Sequence, residues 1–126
     1  MDSYHLQPSP KTPQISFDAS SGDFEISGRS IPENSIEFYK PMLAWVDQYV
    51  ESPNNSTLLS IKLEYFNTST SKCLVELFRK LESIADKSAI KVEWHYEEED
   101  EDMMESGQDF KHILKFPLEL IAIEED

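Results

Sequence analysis

The period of the hydrophobic pattern switches repeatedly along this chain, and that switching constrains its fold more than any other feature. Residues 57–66 alternate, with Leu59, Ile61, Leu63 and Tyr65 on one side and Ser60, Lys62 and Glu64 on the other. Residues 70–87 then follow a helical stripe through Leu74, Leu77, Phe78, Leu81 and Ile84, with Glu76 and Lys80 as a favourable i,i+4 pair. Residues 89–96 return to alternation, with Ile90, Val92, Trp94 and Tyr96 opposite Lys91, Glu93 and His95. A strand, a helix and a strand in succession imply a right-handed crossover and a parallel pair.

The flanks extend this frame. Ile15 and Phe17, then Phe24 and Ile26, alternate on either side of the turn-forming run 18–23, which predicts a β-hairpin and an antiparallel part of the sheet. Residues 33–51 predict a helix carrying two adjacent apolar lines. One is Ile36, Tyr39, Leu43, Val46 and Val50; the other is Phe38, Met42, Trp45 and Tyr49. Pro41 inside this span predicts a kink or a later start. Residues 103–114 suggest a short helix and 116–123 a last strand. The expected order is β-β-α-β-α-β-(α)-β. Because the strands alternate rather than running continuously apolar, the fold class is α/β, one domain, a mixed β-sheet with helices mainly on one face. Residues 1–13, with Pro8, Pro10 and Pro13, read as an extended N-terminal lead-in to a domain over 14–126.

Charge narrows the partners. The net charge is -14, and more than half of it sits in 97–109, which holds eight acids and no Lys or Arg and reads as an acidic loop. Such a surface disfavours nucleic acid and anionic membranes and suits basic patches on proteins. A single cysteine, Cys73, precludes an internal disulfide and fits a reducing cytoplasm. No signal-peptide pattern or membrane-length apolar run is present, so the expected location is cytoplasmic.

Little in the chain could perform catalysis. His5, His95 and His112 have no metal-ligand spacing to one another or to Cys73. Cys73 falls near the start of a helix, which favours a thiolate, but a buried structural thiol is the simpler reading. Three glycines build neither a GxGxxG turn nor a P-loop. The run Glu97 to Asp102 lacks the spacing and glycine of an EF-hand loop. No enzyme and no cofactor is expected.

Two features point instead to binding. The apolar arc of the first helix is wider than one sheet face needs, so part of the line Phe38, Met42, Trp45 and Tyr49 is a candidate partner surface. The run Asn67-Thr68-Ser69-Thr70-Ser71 lies between a strand and a helix, with Lys72 one turn on. Helix capping uses one or two such side chains. The remainder could present a hydroxyl to a kinase, near a helix end that tolerates phosphate.

The segment Tyr65-Phe66-Asn67-Thr68-Ser69-Thr70-Ser71-Lys72-Cys73-Leu74 resembles the phosphorylation segment of SiaC-type regulatory phosphoproteins. Thr12-Pro13 with Ile15, Phe17 and Gly22 resembles the opening hairpin of that family. Tyr39-Lys40-Pro41-Met42 with Trp45 resembles its first helix, and Met103 to Phe110 after an acidic run its carboxy-terminal signature. The resemblance implies a fold similar to STAS-type anti-sigma-factor antagonists and a partner-switching role. It places the phospho-acceptor on Thr68. It further implies a protein kinase, a PP2C-type phosphatase and a downstream effector, in some members a diguanylate cyclase of cyclic di-GMP and biofilm signalling, bound by the unphosphorylated form. Two other readings are an antagonist of an anti-sigma kinase and an acidic metal or small-molecule sensor.

Overall fold

A computed structural model describes residues 1–124. Nine elements follow one another: β1 (Tyr4–Leu6), β2 (Gln14–Asp18), β3 (Asp23–Ser30), α1 (Ser35–Tyr49), β4 (Ser56–Phe66), α2 (Thr68–Glu82), β5 (Ala89–Glu97), α3 (Glu101–Ile113) and β6 (Leu118–Ile123). The six strands form one sheet in chain order, β1-β2-β3-β4-β5-β6. The first two pairings are antiparallel and the last three parallel. All three helical crossovers step in one direction across the sheet, so right-handedness puts the helices on one face. The mixed sheet with one-sided helices is the expected architecture.

The core lies between sheet and helices. Ile15, Phe17, Phe24, Ile26, Leu59, Ile61, Val92 and Trp94 point inward from the strands and are fully or almost fully buried. Tyr39, Met42, Val46 and Tyr49 meet them from α1, and Leu74, Leu77, Phe78 and Leu81 from α2. The hairpin turn is tied by Asp18, whose carboxylate accepts from the Ser20 amide at 2.9 Å. It closes at Gly22, where φ is +77° and a Cβ would sit 2.2 Å from the Ser56 carbonyl oxygen.

Several expectations need correction. Within the extended lead-in over 1–13, Tyr4–Leu6 pairs with β2 as an edge strand, an element the sequence reading did not place. Pro41 does not delay the start of α1, which runs from Ser35 to Tyr49 through it. The acidic stretch 97–109 is not a loop. Asp100 caps α3 and the helix takes up most of the run. Acids in a first helical turn complement the unpaired amides there, so charge favours this helix start.

The largest departure is in β4. The pairing of β3 with β4 slips between Gly28 and Arg29, so that Gly28 faces Leu63 and Arg29 faces Tyr65. Glu64 is the extra residue of a β-bulge, and it reverses the alternation beyond it. Tyr65, expected inward, is 58% exposed. Phe66 turns inward instead and packs against Trp94 and Phe110 at ring separations of 5.9 and 6.4 Å.

Candidate functional site

The bulge delivers the chain directly into the N-terminus of α2. Asn67 is the N-cap, with extended backbone, and its side-chain oxygen accepts from the Thr70 amide at 2.9 Å. The same oxygen accepts from the Thr70 hydroxyl at 2.7 Å and the Ser69 hydroxyl at 3.1 Å. The Asn67 amide group donates to the Pro32 carbonyl at 3.4 Å. One side chain thus caps the helix and gathers its neighbours.

Behind it lies a buried hydroxyl network. Thr70 is fully buried and lies 2.8 Å from the Ser30 hydroxyl, which in turn meets the phenol of Tyr39. Ser69 lies 2.7 Å from the hydroxyl of Ser35. Burial pushes the Tyr39 phenol up to about 12, against the smaller opposing effect of its Ser30 hydrogen bond. These contacts fasten the end of β3 and the start of α1 to the start of α2. Ser30 and Ser35 are members that the sequence reading missed. Their only sequence signal is a small hydroxyl at the edge of an apolar element.

The excess of polar residues at this turn therefore divides into roles. Asn67 caps, and Ser69 and Thr70 hold the network. Lys72 is exposed. Thr68, the first residue of α2, is exposed and its hydroxyl forms no hydrogen bond among the described residues. Ser71 also makes no side-chain bond but is only half-exposed. Thr68 and Ser71 both line a groove of about 420 Å³ whose far wall is the start of α3, with Asp100, Asp102, Met103 and Ser106.

The electrostatics at this point differ from those of the other helices. Glu37 stands in the first turn of α1, and Glu101 and Asp102 in that of α3, whereas the first turn of α2 has no acid. Its amide end is open to an anion carried by Thr68.

Other candidates settle differently. Met42 and Tyr49 are buried to within 1%, so neither offers surface to a partner. Phe38 is half-buried against Tyr39. Trp45 packs on Phe17, Phe24 and Tyr49, and its indole donates to the Asp2 carbonyl at 2.8 Å. Of the aromatic line, Met42 and Tyr49 are core, while Phe38 and Trp45 are partly buried against it, Trp45 beneath the hairpin and the N-terminal segment. Cys73 lies in the second turn of α2, buried, with its thiol 3.7 Å from the Ser35 carbonyl. Burial pushes that thiol up, which makes it a poor nucleophile. His95 sits 3.4 Å from the Glu93 carboxylate on the outer sheet face. Among the described residues no group of three or more His, Cys, Asp or Glu could hold a metal ion. No described helix is long and apolar enough to cross a membrane.

Comparison with known proteins agrees with the fold. An uncharacterised protein of Pseudomonas aeruginosa (strain UCBPP-PA14) is 28% identical over 99% of this chain and 100% of its own length. The crystal structure of apo-SiaC from Pseudomonas aeruginosa superposes with a TM-score of 0.87 at 27% identity, covering 97% of this chain and all of that one. A second structure from the same organism is of the diguanylate cyclase SiaD in complex with its activator SiaC. It matches with a TM-score of 0.88 at 27% identity, over 95% of this chain and 99% of that one. The family model for the SiaC family regulatory phosphoproteins matches residues 6–123, and the chain belongs to that family.

Proposed function

We propose that this protein is a non-enzymatic switch whose unphosphorylated form binds and activates a diguanylate cyclase, and that phosphorylation of Thr68 ends that binding. The observation that carries this is the division of roles at the α2 N-terminus: Thr68 is the exposed hydroxyl of its cluster, unbonded among the described residues, at a helix end without an acid. A protein kinase would transfer phosphate to the Thr68 hydroxyl, and a PP2C-type phosphatase would remove it. We place this exchange in the cytoplasm, where ATP is at hand. The solved complex of SiaD with its activator SiaC supports a cyclase as partner over an anti-sigma kinase.

The mechanism follows from charge and hydration. The phosphate brings about 1.5 to 2 negative charges. The open amide end of α2 steadies it, so the fold survives the modification. A partner packed over the same spot would have to strip its water, and each 1.4 kcal/mol so lost weakens binding about tenfold. Complete switching between about 99:1 and 1:99 asks for roughly 5.5 kcal/mol of difference.

The test is cyclase output in a reconstituted system with the cyclase from the same genome. Thr68→Ala should activate it as wild type does and resist the kinase. Thr68→Asp should activate it at least tenfold less. Equal activation by Thr68→Asp and Thr68→Ala would reject the switch.

A further inference from the structure

The groove beside Thr68 does not end at Tyr65. It continues into a second hollow, of about 620 Å³, on the outer face of the sheet. Glu64, Tyr65 and Asp100 line both. Tyr65 stands between them, and the far hollow is walled by Tyr96 and by Ile123, which is 42% exposed.

The bulge decides which side Tyr65 takes. A regular β4 would bury it, and the bulge at Glu64 sends Phe66 to the core in its place. The outcome is an exposed aromatic ring on the outer face of the sheet, next to the start of α2. Bulges commonly re-aim a side chain beside a functional site. Exposed Tyr with a neighbouring aliphatic residue is the usual composition of an interface anchor.

Charge says what kind of partner fits. The two cations of the far hollow are already engaged: Arg29 lies 3.3 Å from Glu64 and Lys62 lies 3.0 Å from Glu25. Asp100 and Asp102 make no ion pair among the described residues. The face is thus apolar at its centre and acidic at its rim.

We propose that one continuous partner-binding face runs from Thr68 across Tyr65 to Ile123, and that it takes a protein segment with an apolar anchor flanked by Lys or Arg. This inference rests on the reading of Thr68 as a switch. Tyr65 receives the anchor, and the acidic rim steers the basic flanks. A phosphate on Thr68 fills the adjoining groove with a hydrated group held by the α2 amides. The anchor then loses its seat, while the rim still attracts.

Two measurements test the face. In the first, the isotope-labelled chain is titrated with a synthetic amphipathic peptide of Leu and Lys, followed by amide NMR. Shifts should cluster at 64–68, 96 and 121–123, and the affinity should fall at least fivefold in Tyr65→Ala. Shifts confined to 97–105 with unchanged affinity in Tyr65→Ala overturn the face. In the second, binding of the purified cyclase is compared for wild type, Tyr65→Ala, Ile123→Ser and Thr68→Asp, with melting curves as the folding control. Tyr65→Ala and Ile123→Ser should each bind at least tenfold more weakly at unchanged melting temperature. If both bind within twofold of wild type while Thr68→Asp does not, the face is wrong and the switch stands. If wild type does not bind the cyclase, the proposed function falls, and the peptide titration decides the face by itself.

Discussion

At the N-terminus of α3, Asp100 accepts from the Met103 amide at 3.1 Å, and Glu101 and Asp102 follow in the first turn. Across the same groove, at the N-terminus of α2, Asn67 accepts from the Thr70 amide at 2.9 Å and no acid follows. Both helices must satisfy the same orphan amides and the same partial positive charge. The first does so permanently with carboxylates. The second uses a neutral amide and leaves the charge unanswered, next to an exposed hydroxyl that can acquire one. The difference gives the proposed switch its seat: an anion on Thr68 would meet open amides at α2, whereas the amides of α3 already face Asp100, Glu101 and Asp102.

The comparison can be broken at several points. The largest effect is expected behind the cap. Thr70→Val removes a buried hydroxyl that joins Ser30 to Asn67. It should destabilise the protein by about 1–3 kcal/mol, as groups left unsatisfied do, read by denaturant unfolding. A loss below half of that would mean that the network does not fasten α2.

Next come the caps themselves. Asn67→Ala should cost about 1–2 kcal/mol and Asp100→Ala about 1 kcal/mol, both within the known range for caps. Asn67 should be the larger because its oxygen also serves Ser69 and the Thr70 hydroxyl. The reverse order would place the more important helix start at α3.

The alkaline limb of stability should report the same network. The Tyr39 phenol is pushed up to about 12 by burial. Its contribution is therefore fully present below the ordinary phenol value of about 10 and is lost as pH rises through about 12. Tyr39→Phe should flatten the fall between those values in melting temperature against pH. An unchanged slope would assign the alkaline limb to other groups.

The smallest effect has the opposite sign. Thr68→Asp should stabilise the chain by about 0.3–1 kcal/mol at low salt, through the α2 amide end, and lose that gain as salt rises. Destabilisation would mean that the end of α2 is not an open anion seat.

How much of this was legible in the sequence follows the same physics. Periodicity located β4, α2 and β5 because burial on one side imposes it. It failed at Tyr65, since a bulge arises from pairing with Gly28 and Arg29 on another strand and leaves no local mark. The helix expected over 103–114 starts two residues earlier, at Glu101, because Asp100 caps it, and the acids of 101–102 belong to its first turn rather than to a loop. Gly107 packs so closely that a Cβ would come within 2.5 Å of Trp94 and Leu120, a contact that only the fold reveals. The hydroxyl cluster was visible as an excess over what a cap needs. Which hydroxyl stays free was not, because Ser30 and Ser35 arrive from β3 and α1.

The most direct test of the central claim is calorimetric titration of the cyclase with the chain phosphorylated on Thr68 and with the unmodified chain, at one salt concentration. The phosphorylated form should bind at least tenfold more weakly, with the fold intact by circular dichroism. Equal affinity of the two forms would contradict the switch at Thr68.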